Sequence, residues 1–264
     1  MVDNPPLVRF PPESGLLIIG HGTEEPRGRA QFARLVELVA NRAPQATVEG
    51  CFLEFAAPDI AAGFERLYER GARDITVAPL LLFAAGHAKQ DIPEQIAAAQ
   101  SRRPGVAVRQ AECLNCAAPL VELSTARYRA ALAARTEVSS DQTLLLFVGR
   151  GSKDADANAE MRRFARLREE QTPVGRVEIG YMAMSEPSLE ESLRRVAGLS
   201  FTRVIVQPHL LFPGKLTDRI EAQVAALAET LPGKEFVLVE PLGADELLVQ
   251  ALLMRVDLSQ AALL

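Results

Sequence analysis

The chain has no apolar run near the roughly 18 residues that a membrane-spanning helix needs. It has no block of like charge, and its net charge is −5, so it lacks the basic footprint of a nucleic-acid binder. Residues 1–14 hold several prolines with Asp3, Arg9 and Glu13 but no apolar h-region, and read as a flexible tail rather than a signal peptide. Three cysteines are too few, and odd in number, for a disulfide framework, so a reducing, cytoplasmic setting is expected. Cys113 and Cys116 have CxxC spacing, yet no second pair or nearby histidine completes a zinc site. They read as two thiols at a strand end. Gly20 and Gly22 suggest a phosphate cradle, but the third glycine of GxGxxG is replaced by Glu25, which excludes the nucleotide reading.

The chain does contain a repeat. Leu16–Thr23 (LLIIGHGT) matches Leu145–Ser152 (LLFVGRGS), which sets Arg150 opposite His21. At that same offset Glu49–Pro58 (EGCFLEFAAP) matches Glu178–Pro187 (EIGYMAMSEP), and Ile75–Pro79 matches Val204–Pro208. Internal repeats set the architecture before any other feature. Of the 264 residues, 48% are hydrophobic and 24% charged, the balance of a globular protein. The repeat divides them into an N-terminal half at 15–138 and a C-terminal half at 139–264, with a polar, strand-free boundary near 136–142.

Short β-rich runs alternate with segments of helical period. Strands are predicted at 16–20, 47–53, 75–82 and 106–110, then at 143–148, 174–181, 203–208 and 235–239. Phe32, Leu35, Val36 and Val39 mark one face of a helix over 28–41. Helices over 58–70 and 187–196 would each open on a proline, and Gly71 stands where the first should be capped. The fold class is therefore α/β: two similar doubly wound halves, each a small parallel four-stranded sheet flanked by helices.

In such sheets ligands bind beyond the carboxyl ends of the strands. His21, Glu54 and His87 all come after predicted strand ends, His87 in a loop, so one rim collects all three. The second copy carries Arg150 and Ala183 in place of His21 and Glu54, and Lys215 at the His87 position after a one-residue slip. Two imidazoles and a carboxylate suit Co²⁺, Fe²⁺, Ni²⁺ or Zn²⁺ better than Mg²⁺ or Ca²⁺. They also accept protons near neutrality. The third histidine, His209, aligns with Leu80 and reads as a packed strand-end residue.

The motifs Gly-His-Gly-Thr at 20–23, Phe-Leu-Glu-Phe-Ala-Ala-Pro at 52–58 and Pro-Leu-Leu-Leu-Phe at 79–83, then Gly86-His87 and Asp91-Ile-Pro93, resemble the sirohydrochlorin chelatases of the CbiX/SirB type. The resemblance extends over nearly the whole chain, the C-terminal copy being similar to that family's degenerate half. It implies insertion of Co²⁺ or Fe²⁺ into a sirohydrochlorin-type tetrapyrrole, for cobalamin or sirohaem synthesis, with no organic cofactor. His21, His87 and Glu54 would then be both catalytic residues and metal ligands. Thr23, Arg27, Lys89, Arg150 and Lys215 would contact the carboxylate-rich substrate. A metal or tetrapyrrole carrier on the same scaffold and a nickel chelatase are the alternatives. The small-molecule tetrapyrrole is the expected partner, without nucleic acid or membrane. A monomer suffices, because one chain supplies both halves.

Overall fold

In a computed structural model that describes residues 8–261, the chain forms two α/β units. The first holds β1 (Ser14–Gly20), α1 (Pro26–Arg42), β2 (Thr47–Phe52), α2 (Ile60–Glu69), β3 (Asp74–Leu80), α3 (Ile92–Gln100) and β4 (Ala107–Gln110). Its strands are all parallel, in the order β2-β1-β3-β4. After α4 (Ala118–Leu132), the second repeats the pattern with β5 (Thr143–Gly149), α5 (Ala155–Glu170), β6 (Arg176–Tyr181), α6 (Leu189–Ala197), β7 (Arg203–Pro208), α7 (Lys215–Thr230) and β8 (Glu235–Leu238) in the order β6-β5-β7-β8. The chain closes with α8 (Glu246–Ala261). Every predicted strand is present.

The central strands are buried along their whole length, as parallel strands covered on both faces must be. In the first unit, α2 and α3 seat Ile60, Phe64, Leu67, Ile92 and Ile96 on Leu17, Ile19, Ile75 and Val77 of the sheet. α1 approaches β2 so closely that a Cβ on Gly50 would lie 2.7 Å from Val36. The second unit buries the equivalent layer, with Leu189, Leu193, Val196 and Ile220 on Leu144, Leu146, Val204 and Val206.

Two local expectations are corrected. α2 and α6 do not open on Pro58 and Pro187, because Asp59 and Ser188 cap them: Asp59 Oδ1 accepts the Ala62 N–H at 2.8 Å, and Ser188 forms a capping box with Glu191. The prolines therefore precede the caps. The expected 1–14 tail is ordered where it is described, since Val8 and Phe10 are buried; residues 1–7 lie outside the described residues. Gly71, as expected, adopts the left-handed conformation (φ +94°) just past α2.

The compact units also differ from halves divided near residue 138. One comprises Met1–Pro119 with Ala244–Leu264, the other Leu120–Gly243. The helix after each fourth strand therefore belongs almost wholly to the other repeat's unit. α8 lies in the first unit, where Arg255 donates to the Leu114 carbonyl at 3.0 and 3.2 Å. α4 docks in the second unit around a fully buried arginine, Arg168. Arg168 donates to Ser124 Oγ at 2.9 Å, Thr125 Oγ1 at 2.8 Å and Gln207 Oε1 at 3.4 Å, and also to Thr172. Burial pulls its guanidinium down to about 10. His209, buried against Phe147 and Phe164, is pushed down to about 3 by burial and then by Arg168, and so stays neutral. In the first repeat the positions equivalent to Arg168, Gln207 and His209 are Val39, Ala78 and Leu80, so the same layer is apolar in the first unit. Among the described residues, no helix is long and apolar enough to cross a membrane.

Candidate metal centre

The first unit's strand order reverses at β1, so the crevice beyond its carboxyl end lies between loops leaving on opposite sides. His21 is the first residue after β1. Pairing continues past the strand ends, the Leu53 N–H donating to the Gly20 carbonyl at 2.9 Å and the Glu54 N–H to the His21 carbonyl at 3.1 Å. This extension locks Glu54 beside His21. It also explains Gly22: its φ is +101°, and a Cβ there would lie 1.7 Å from the Glu54 carbonyl oxygen. Any side chain at residue 22 would push Glu54 away.

His87 comes from the third strand. It stands not in an irregular loop, as expected, but at the start of a π-helical turn, His87–Asp91, that leads into α3. Single π turns often accompany functional sites. This one places Asp91 Oδ2 2.6 Å from His87 Nδ1. Sequence reasoning misses Asp91 as a site residue. Its signals are its place in the Asp91-Ile-Pro93 motif and the His-x-x-x-Asp spacing, which shares a helical face only once the segment is known to be helical.

Oε1 of Glu54 lies 3.2 Å from Nε2 of His21 and 3.7 Å from Nε2 of His87. The imidazole centroids are 4.9 Å apart, with the rings at 76°. One donor atom from each of the three residues falls within 4.8 Å of the others, a spacing that one cation can bridge. Among the described residues this is the one group of histidine, cysteine and carboxylate side chains with that geometry. The three side chains are partly exposed, at 27% for His21, 35% for His87 and 40% for Glu54, while the Nε2 atom of His21 is itself buried. A cleft of about 270 Å³ adjoins them, lined by Leu53, Glu54, His87, Asp91, Glu94 and Gln95. Three carboxylates on its wall favour a cation over an anion. The Asp91 carboxylate can only accept, so His87 donates from Nδ1, and the neutral imidazole then has its lone pair on Nε2, the atom 3.7 Å from Glu54.

The remaining expected site residues are placed as follows. Thr23 Oγ1 accepts the Glu25 N–H at 3.1 Å, Arg27 is exposed at the start of α1 and pairs with Glu25 at 3.1 Å, and Lys89 is exposed within the π-helical turn. Arg150 and Lys215 belong to the second unit, exposed after β5 and at the start of α7.

That second unit keeps the backbone of the site without the two histidines and the glutamate. Gly151 has φ +86°, and a Cβ there would meet the Ala183 carbonyl oxygen at 1.8 Å, as Gly22 would meet Glu54. Met184 repeats the left-handed Phe55 (φ +59° and +62°), and Glu186-Pro187 repeats the cis bond of Ala57-Pro58. Where the first unit has His21 and Glu54, the second ties its loops together. Ser185 Oγ donates to the Ser152 carbonyl at 2.9 Å and accepts the Ser152 N–H at 3.1 Å, while Asn158 Nδ2 donates to the same carbonyl at 2.7 Å.

Both repeats are matched by the CbiX family model, over residues 15–131 and 144–259. A sirohydrochlorin ferrochelatase of Priestia megaterium is 32% identical over 229 residues, 86% of this chain and 84% of the relative. A sirohydrochlorin cobaltochelatase from the same organism is 30% identical over 210 residues, 79% and 68% of the two chains. Among solved structures, SirB from Bacillus subtilis with Fe³⁺ superposes with a TM-score of 0.83 at 29% identity, covering 94% of this chain and 96% of SirB. The cobalt complex of SirB from Bacillus subtilis subspecies spizizenii gives 0.77, also at 29% identity, over 92% and 93%.

Proposed function

The chain belongs to the CbiX family, and we propose from that membership that His21, Glu54 and His87 carry its reaction, the insertion of a divalent metal ion into sirohydrochlorin. It is an enzyme, and the metal, Co²⁺ or Fe²⁺, is its substrate. The observation that supports this use of the three residues best is their geometry: two imidazole nitrogens and a carboxylate oxygen within 4.8 Å, on the open rim of one sheet.

The residues divide the work by their chemistry. The Nε2 atoms of His21 and His87 and the Glu54 carboxylate hold the incoming ion, exchanging its water for nitrogen and oxygen donors suited to Co²⁺ or Fe²⁺. Asp91 holds His87 with Nε2 ready to bind. The ion then passes to the four nitrogens of the macrocycle, which release two N–H protons for each dication that enters. The two N–H nitrogens become donors, and the macrocycle keeps its net charge, only when those protons leave. Glu54 and the histidines freed of the metal are the nearest groups able to accept them. Lys89, two residues past His87 and exposed, supplies positive charge toward the substrate's carboxylates.

Anaerobic absorbance spectroscopy tests the reading. Sirohydrochlorin is mixed with Co²⁺, Fe²⁺ or Ni²⁺ in turn, with and without protein. Accelerated loss of the free-base spectrum with Co²⁺ or Fe²⁺ is expected, and loss at the protein-free rate with every metal would refute it.

A further inference from the structure

Among the described residues, three large apolar side chains are strongly exposed: Phe55 at 62%, Leu258 at 55% and Met184 at 49%. Leu258 lies on α8, where a single exposed leucine is ordinary. Phe55 and Met184 differ from it, because each occupies the same point of its repeat, with φ of +62° and +59°. A left-handed backbone is unfavourable for a bulky residue, and an exposed ring adds a second unfavourable term at the same position. Glycine or asparagine would avoid both. The positive φ recurs in both repeats and so belongs to their common loop; what differs is what the exposed side chain meets.

In the first unit that side chain meets the candidate metal set. The Phe55 ring stacks on the His21 imidazole, with centroids 5.8 Å apart and planes 28° from parallel. It therefore stands directly beside the metal-binding set, and most of its surface still faces solvent. The adjoining cleft is polar, lined by Glu54, Asp91, Glu94 and Gln95. One apolar ring in a polar rim is a poor docking patch for a protein, which needs a contiguous surface. It matches a ligand that is flat and apolar on its faces and charged only at its edge.

We infer that Phe55 is the platform on which one face of the tetrapyrrole lies while the ring's nitrogens meet the ion held by His21, Glu54 and His87. The inference rests on the proposed function and adds a substrate contact to it. Aromatic stacking on a ring face is directional, and its loss corresponds to about a tenfold change in affinity.

The test is an anaerobic titration of the protein with metal-free sirohydrochlorin, beside a calorimetric titration with Co²⁺ alone. Phe55→Ala and Phe55→Gly should weaken tetrapyrrole binding about tenfold, and Phe55→Tyr, which keeps the ring face, should stay within about twofold of the parent. Co²⁺ affinity should be unchanged in all three. Phe55→Gly should not lower the thermal midpoint, since glycine relieves the positive φ. Tetrapyrrole affinity in Phe55→Ala equal to the parent's would overturn the inference while leaving the proposed function standing. So would an equal loss of Co²⁺ binding, since Phe55 would then merely hold His21. Failure of the unmodified protein to bind sirohydrochlorin would strike the proposed function itself.

Discussion

Nδ1 of His87 lies 2.6 Å from Oδ2 of Asp91, four residues further along a π-helical turn. This contact sets which imidazole nitrogen is available, because a histidine that donates from Nδ1 keeps its lone pair on Nε2. Nε2 is the atom 3.7 Å from Glu54. Asp91→Asn preserves size but offers the imidazole an uncharged partner. Outer carboxylates of this kind contribute about 10- to 100-fold to metal affinity. Asp91→Asn should therefore weaken Co²⁺ binding by at least about tenfold with the fold intact, read by calorimetry and circular dichroism. Unchanged Co²⁺ affinity would mean that the contact does not tune His87.

Removal of a ligand should act more strongly. His21→Ala and His87→Ala are each expected to lower Co²⁺ affinity by about a hundredfold or more, beyond the loss from an outer-shell change. Both side chains are partly exposed, so thermal midpoints should stay near the parent value. A variant that binds Co²⁺ normally would remove its histidine from the ligand set.

The glycines give a graded test of the backbone. Gly71→Ala meets nothing within 4 Å and suffers only its positive φ, a loss of about 1 kcal/mol. Gly22→Ala adds a clash with the Glu54 carbonyl and should lose about 2 kcal/mol or more, together with metal binding. Gly151→Ala should be destabilised similarly yet bind Co²⁺ like the parent, since its clash is with Ala183. Denaturant midpoints and Co²⁺ titrations separate the three. Equal metal binding in the Gly22 and Gly151 variants would contradict the role given to Gly22.

His209 makes stability depend on pH. Burial lowers its folded pKa from 6.5 to about 3, so between those values the unfolded chain binds more protons. The contribution is complete above the unfolded value and declines as pH falls, by up to about 1.4 kcal/mol per pH unit. His209→Leu, which installs the residue found at Leu80 in the first repeat, should lose less stability than the parent between pH 7 and pH 5. Parallel pH profiles in chemical denaturation would show that His209 is not the cause.

The architecture was legible because its signals were local and doubled. Buried parallel strands such as 16–20 read as continuous apolar runs, and each had a counterpart at the same point of the second copy to confirm it. The grouping of His21, Glu54 and His87 was legible from what the second copy lacked, where they have become Arg150, Ala183 and Lys215. Asp91 was hidden because the segment carries a glycine and polar residues that read as loop, and a π turn has no sequence signature of its own. The helix starts shifted because Asp59 and Ser188, the true caps, stand next to prolines that are the stronger punctuation. The placement of α4 and α8 was not legible at all. A repeat fixes that a helix comes after each fourth strand, but not which sheet receives it. In the second unit that choice is stabilised by the non-local hydrogen bonds of Arg168 to Ser124 and Thr125.

One measurement bears most directly on the role proposed for His21, Glu54 and His87: the rate of Co²⁺ insertion into sirohydrochlorin, followed anaerobically by loss of the free-base absorbance. The unmodified protein should accelerate it, and His21→Ala, Glu54→Ala and His87→Ala should each return it to near the protein-free rate while remaining folded. Full activity in any folded member of that series would contradict the assignment of His21, Glu54 and His87 as the working site.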